Sequence, residues 1–266
     1  MHDIILAKKV AKIAKKAGDA IMDIYNNSDN FQVQHKPDES PLTIADQAAN
    51  EIICLHLEKL EIKHPIISEE NKSIGFKTRK NYTQYWLVDP LDGTKEFINR
   101  NGEFTVNIAL IDNQRPVLGV VYAPVLDEMY FAVKDKGAFL AKENNTKQLR
   151  VSTFTKNDKN LSVVCSRSHL NEATQVFVNE LDNPELITQG SSLKFLILAK
   201  GEAHLYPRLA PTMEWDTGAA HAILLEAGGK LVDDGTGYKS TFRQDLVKGS
   251  DPNFRSNRRG ARISAH

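Results

Sequence analysis

Trp86-Leu87-Val88-Asp89-Pro90-Leu91-Asp92-Gly93-Thr94 is the stretch around which the rest of the chain arranges itself. Its apolar, β-prone approach, residues 85–88, predicts a buried strand, and the Asp-Pro and Asp-Gly pairs predict that the chain turns directly afterwards. Two carboxylates are therefore expected at a strand end. Between them lies the backbone carbonyl of Leu91, and after them come Gly93, which permits close backbone approach, and the hydroxyl of Thr94. Carboxylates, carbonyls and hydroxyls are the donors that Mg²⁺ takes. Taken alone, the two aspartates fit an ordinary Asx turn with a helix cap equally well, so the surrounding chain has to decide.

Working outward, residues 64–68 read as a short buried strand that delivers Glu69-Glu70 at its end, and Asp216 stands at the start of a last long helix, residues 215–227, closed by Gly228-Gly229. Adjacent acids on their own indicate a solvated loop, and an aspartate at a helix start indicates an N-cap. If the three segments meet, however, their negative charges repel unless cations lie between them, and divalent metal ions resolve that repulsion.

The remaining pattern is that of a large α/β protein. Residues 3–26 place Leu6, Val10, Ile13, Ala17, Ile21 and Ile24 at helical spacing with lysines opposite. Thr43-Ile44-Ala45-Asp46 has the form of a capping box opening a second helix, with Ile44, Ala48, Ile52 and Leu55 expected inward. Lys36 reads as a loop lysine. Residues 104–111, 117–122, 128–133 and 137–141 predict an antiparallel meander. The polar run 142–147 reads as a domain boundary, after which strand and helix alternate. The expected organisation is an α+β domain over 1–147 carrying most of the acids, an α/β domain over 148–255, and a disordered or non-native Arg-rich tail over 256–266.

Composition excludes several function classes. The 266 residues are 41% hydrophobic and 26% charged, as in soluble globular proteins, and Lys+Arg and Asp+Glu both number 34, so there is no basic excess for a nucleic-acid polymer. Cys54 and Cys165 stand far apart without metal-ligand spacing, which indicates neither a disulfide framework nor a zinc site and fits a reducing cytoplasm. Lysines interrupt the N-terminal apolar stretch, and no later segment reads as a membrane span. The lysine face of the first helix could touch an anionic inner-membrane surface, but its apolar side lacks Trp and Phe, which favours a solvated face on a core stripe. No protein partner is evident.

Glu69-Glu70, Asp89-Pro90-Leu91-Asp92-Gly93-Thr94 and Trp215-Asp216-Thr217-Gly218-Ala219-Ala220 resemble, in order and separation, the three signature motifs of the inositol-monophosphatase superfamily, the lithium-sensitive, Mg²⁺-dependent phosphomonoesterases. The resemblance implies a layered αβαβα sandwich, two or three Mg²⁺ ions and inhibition by lithium. It also implies roles at matching positions. Glu69, Asp89 and the Leu91 carbonyl would hold a first metal, and Asp89, Asp92 and Asp216 a second. Thr94, hydrogen-bonded to Asp46, would orient the attacking water together with Glu69. Phosphate monoester hydrolysis needs an in-line water, neutralised phosphate oxygens and a stabilised leaving alkoxide, all of which two metals supply without a covalent intermediate. The backbone of Gly93 and Thr94 would face the phosphate.

The leaving group is read from the second half. Inositol-type members carry a glutamate before Trp-Asp, whereas this chain has Tyr206-Pro207-Arg208, and an arginine matches a second phosphate. Gly190-Ser191-Ser192-Leu193-Lys194 adds a lysine and two hydroxyls, and His169 can stack on or hydrogen-bond a purine. These stretches resemble the CysQ-type 3′(2′),5′-bisphosphate nucleotidases, which implies removal of the 3′-phosphate of adenosine 3′,5′-bisphosphate, a by-product of sulfate assimilation, to give AMP. Ser191, Lys194 and Arg208 would take the 5′-phosphate and His169 the nucleoside. Two alternatives stay open: a broader inositol or sugar monophosphatase, and a catalytically idle protein that senses the nucleotide.

Overall fold

The computed structural model describes residues 3–27, 31, 33–36, 41–71, 74–155, 157–166, 172–208, 212–233 and 261–265. Helix α1 (Ile4–Asn27) buries Ala7, Val10, Ile13, Ala14, Ala17, Gly18 and Ile21 along one stripe, the spacing of an amphipathic core helix. Several of its lysines have partners: Lys9 pairs with Glu61, Lys15 with Asp19, and Lys16 Nζ lies 3.0 Å from His56 Nε2. No helix among the described residues is long and apolar enough to cross a membrane.

Two short strands, β1 (Gln34–His35) and β2 (Pro41–Leu42), pair antiparallel ahead of helix α2 (Ile44–Leu57). The capping box expected at Thr43 forms, with Asp46 accepting from the Thr43 backbone. The buried face of α2 is not the expected one. Ala45, Asp46, Ala49, Ile53 and Leu57 point inward, while Leu55 is 50% exposed. Both sets have helical spacing, and the cap settles the choice, because it turns Asp46 into the interior, where the side chain also meets Thr94.

A seven-stranded sheet follows in sequential order: β3 (Ile66–Ser68), β4 (Gln84–Asp92), β5 (Thr105–Asp112), β6 (Arg115–Ala123), β7 (Glu128–Val133), β8 (Gly137–Lys142) and β9 (Asn145–Gln148). Only the β3–β4 pair is parallel, with the short helix α3 (Phe76–Arg79) in the connection. The Asp-Pro pair does not end β4. The strand continues to Asp92 with a register shift against β5 between Asp89 and Asp92. Pro90 has no N–H for the ladder, and an irregularity here absorbs that deficit while bending the strand. The chain turns instead at Gly93, whose φ of 96° lies in the left-handed region, and enters helix α4 (Thr94–Ile98). The polar run 142–147, expected to be a boundary, is the tip and outer arm of the β8–β9 hairpin. All four residues of β9 are exposed, which is why an edge strand here reads as a linker.

The second sheet runs in the order β11 (Glu185–Gln189), β10 (Ser162–Ser166), β12 (Leu205–Arg208), β14 (Ala261–Ala265), β13 (Gly229–Asp233). Helices α5 (Glu172–Asn179), α6 (Leu193–Ala199) and α7 (Glu214–Glu226) complete the fold. Residues 261–265, expected to belong to a disordered tail, pair antiparallel with both β12 and β13. Backbone hydrogen bonding carries this strand, so its arginine-rich composition concealed it.

Alternation along β4 to β6 divides the core. Trp86, Val88, Ile108, Leu110, Leu118 and Val120 pack with α1 and α2. Tyr85, Leu87, Ala109, Ile111 and Val121 pack with α6, α7 and inward residues of the second sheet such as Val164 and Tyr206. Val163 and Cys165, on the other face of that sheet, pack against Val178 of α5. The layers are thus helix, sheet, helix, sheet, helix, the αβαβα sandwich expected. A sheet covered on both faces explains its near-continuous apolar strands.

Gly119 of β6 lets α7 approach the first sheet closely. A Cβ there would lie 2.2 Å from the Ala219 carbonyl oxygen and 2.8 Å from Ala222 Cβ. Gly119→Ala must push the helix outward, and a loss of roughly 3 kcal/mol of unfolding free energy is expected from urea denaturation. An unchanged midpoint would contradict this packing.

Candidate active site

The parallel β3–β4 pair puts the Glu69-Glu70 turn beside the bulged end of β4, and Glu69 N donates to the Val88 carbonyl at 3.1 Å. Helix α7, seated on β4 to β6, brings its first turn to the same place. As a result, carboxylate oxygens of Glu69, Asp89 and Asp216 lie within 4.8 Å of one another. Three acids far apart in sequence converge as expected. Asp216 also caps its helix: it is the third helical residue, and its Oδ2 accepts from Met213 N at 3.0 Å and from Thr212 Oγ1 at 2.7 Å. Asp46 likewise serves two ends, since Oδ2 caps α2 while Oδ1 accepts from Thr94 Oγ1 at 3.1 Å. Thr94 Oγ1 is also 3.3 Å from the carbonyl oxygen of Leu91, so the hydroxyl and the carbonyl meet beside the acids.

The electrostatics record the strain of this assembly. Asp89 is only 1% exposed, and burial, then the charges of Glu69, Asp92 and Asp216, hold its carboxyl well above the usual range. Burial and then Asp92 push Asp216 up to about 7. Burial also raises Glu69, with Lys36 opposing, and raises Glu70 to about 7. Buried carboxylates this close together need a counter-charge to ionise. Lys36 supplies part of it: its Nζ lies 2.7 Å from Glu69 and 2.6 Å from Glu70. From the sequence Lys36 reads as a loop lysine, and nothing local in the chain announces the pairing.

The donor set fits a hard divalent cation. It is made of carboxylate oxygens and, next to them, the Leu91 carbonyl, with no sulfur or imidazole ligand in the cluster. Asp92 is not one of the three converging acids. Its Oδ2 accepts from Ser191 Oγ at 2.7 Å, Ser192 N at 2.6 Å, Ser192 Oγ at 2.8 Å and Asn107 Nδ2 at 3.3 Å.

The same cleft has a basic end. Asp92, Gly93, Ser191 and Asp216 line it together with Lys194 and Arg208. Lys194 stands over the ring of Tyr206, 5.7 Å from its centroid. Burial lowers its ammonium to about 8, with Asp92 opposing. Gly93 is wedged tightly here, since a Cβ would lie 2.9 Å from the Glu103 carbonyl oxygen and 3.3 Å from Ser191 Cβ. His169 lies outside the described residues. Sequence reasoning missed Glu96, Tyr206 and Thr212 in the lining, and Thr105 and Asn107 behind it. The last two were readable as polar positions alternating with apolar ones in a strand expected to be buried.

The model of the inositol monophosphatase family matches residues 6–257. The proteins named 3′(2′),5′-bisphosphate nucleotidase CysQ of Salmonella typhimurium and of Escherichia coli K12 are 43% and 44% identical over 251 and 248 residues, covering 94% and 93% of this chain and 98% and 97% of their own. The crystal structure of CysQ from Bacteroides thetaiotaomicron, a bacterial member of the inositol monophosphatase family, is 37% identical with a TM-score of 0.82, covering 97% of this chain and 96% of that one. A family match over nearly the whole chain, together with near full-length relatives and three converging acids where the motifs place them, makes this chain a member of the inositol monophosphatase family.

Proposed function

We propose that this chain is a 3′(2′),5′-bisphosphate nucleotidase that hydrolyses the 3′-phosphate of adenosine 3′,5′-bisphosphate to AMP and phosphate, using Mg²⁺. The observation that carries the reading is a single cleft with an acidic end at Asp92 and Asp216 and a basic end at Lys194 and Arg208. A ligand with two phosphates matches it, one reacting at the acids and one held by the cations. The relatives named for this activity, alike over nearly their full length, support the same choice. An inositol phosphate has no second anion for Lys194 and Arg208, and a protein that only senses nucleotide has no need of the Thr94–Asp46 pair.

Glu69, Asp89, Asp92, Asp216 and the Leu91 carbonyl would hold two or three divalent ions. Bound there, Mg²⁺ neutralises phosphate oxygens, acidifies a water and stabilises the leaving oxygen. The protein's own part is positional. Thr94 Oγ1, anchored on Asp46 Oδ1, holds the attacking water by a lone pair left free when its proton is given to Asp46. Glu69 accepts the water's proton on its carboxylate. Gly93 lets the backbone approach the reacting phosphate. Ser191, Lys194 and Arg208 fix the 5′-phosphate, and His169 contacts the nucleoside. The tight wedging of Gly93 against Ser191 sets the spacing between the two phosphates.

Phosphate release from adenosine 3′,5′-bisphosphate, beside AMP and inositol 1-phosphate, tests the reading. Release from the bisphosphate alone is expected, abolished by chelation, restored by Mg²⁺ and lowered more than ~100-fold by Asp89→Asn. Preference for inositol 1-phosphate would keep the acids and remove the basic clamp from the account, and binding without release would favour a sensor.

Lys194 adds a pH signature. Its ammonium, lowered to about 8 by burial, loses its charge as pH rises through that value, so AMP binding should weaken roughly ten-fold between pH 7 and 9. Calorimetric titrations should show this slope in the parent and its absence in Lys194→Met, which binds weakly throughout. A parent with pH-independent affinity would contradict the assignment.

A further inference from the structure

Asn107 lies in the middle of β5, 1% exposed, among strands that are otherwise almost entirely apolar. A buried amide is costly unless its groups are satisfied, and here each has a partner. Nδ2 donates to Ser192 Oγ at 2.8 Å and to Asp92 Oδ2 at 3.3 Å, and Oδ1 lies 3.0 Å from the hydroxyl of Thr105. The amide is oriented by chemistry: a carboxylate oxygen only accepts, so the nitrogen must face Asp92. Thr105 Oγ1 is in turn 2.8 Å from Ser191 Oγ. Ser192 Oγ shares its single proton between Asp92 Oδ2 and the Asp216 carbonyl oxygen, which lies at 2.7 Å.

Asp92 through its carboxylate and Asp216 through its backbone carbonyl are therefore tied to a turn of the basic end. Ser191 adopts φ 52°, a left-handed conformation that a serine keeps only where its surroundings over-determine it. Those surroundings are Asp92 and Thr105 on its hydroxyl and Gly93 packed against its Cβ. The amide of Asn107 closes this network from behind, without lining the cleft.

We propose that Asn107, acting through Ser192, is a positioning residue that couples the two ends of the cleft. It holds Asp92 and the Ser191–Ser192 turn in one arrangement, so that an anion on the turn and a divalent cation at Asp92 each favour the other. An aspartate in its place has the same shape but turns a donor into a second carboxylate facing Asp92. Ser192→Ala removes the link by a smaller change.

The proposal rests on the functional reading above for its anionic probe, AMP. Mn²⁺ binding, followed through the EPR signal of the free ion, reads the coupling without turnover. In the parent, saturating AMP should lower the Mn²⁺ dissociation constant at least about five-fold, and Mn²⁺ should tighten AMP by the same factor. In Asn107→Asp and Ser192→Ala, both factors should fall toward one while circular dichroism shows the parent's fold. If Asn107→Asp does not fold, Ser192→Ala carries the test. Folded variants that keep the parent's factor overturn the proposal. So does a parent that releases phosphate from the bisphosphate yet binds Mn²⁺ equally with and without AMP. A parent that binds Mn²⁺ but neither binds AMP nor releases phosphate overturns the functional reading and this proposal with it.

Discussion

Mutual repulsion among Glu69, Asp89 and Asp216 is the constraint on which the rest of the molecule turns. Like charges held within 4.8 Å of one another in a buried setting are unfavourable in any fold that lacks a compensating cation. Much of the architecture makes sense as the means of enforcing that contact. The parallel β3–β4 pair fixes Glu69 beside the end of β4, the bulge accommodates Pro90 between Asp89 and Asp92, and Gly119 lets α7 come close enough to deliver Asp216. Capping contacts then do a second duty. Asp46 and Asp216 each stabilise a helix start with one oxygen, so the residues gathered here also have a place in the folded framework.

Those double contacts make a structural and a chemical reading of these residues compatible. A capping box at Thr43 accounts for Asp46, and it also aims the side chain at Thr94. The contact with Thr94 is reached only because α2 turns a different face inward from the one its Ile44, Ala48, Ile52 and Leu55 spacing suggested. Two stripes of nearly equal apolarity competed there, and a polar anchor decided between them.

The layered fold, the converging acids and the basic end of the cleft were legible because each rests on local pattern or on motifs spaced along the chain. What escaped detection depended on contacts between distant segments. Lys36 gains its meaning only beside Glu69 and Glu70. Asn107 and Thr105 look like imperfections in an apolar strand until the Ser191–Ser192 turn is brought against them. Strand β4 passed through Asp89-Pro90 because pairing with β5 resumes at Asp92, which a local turn signal does not reveal. The strand Ala261–Ala265 is held by two neighbours distant in sequence, and the exposed arm β9 has the composition of a linker.

The claim that these buried acids are a cation site is tested most directly by the melting temperature with and without Mg²⁺ across pH 5 to 8. Asp216, raised to about 7 from 3.8, and Asp89 and Glu69, raised by burial, bind protons more tightly folded than unfolded, so the metal-free protein loses that stabilising contribution as pH rises from 3.8 through about 7. Cation binding must displace those protons. A cation site therefore predicts that Mg²⁺ raises the melting temperature little at pH 5 and most above pH 7. An increment that is absent, or the same at every pH, would contradict it.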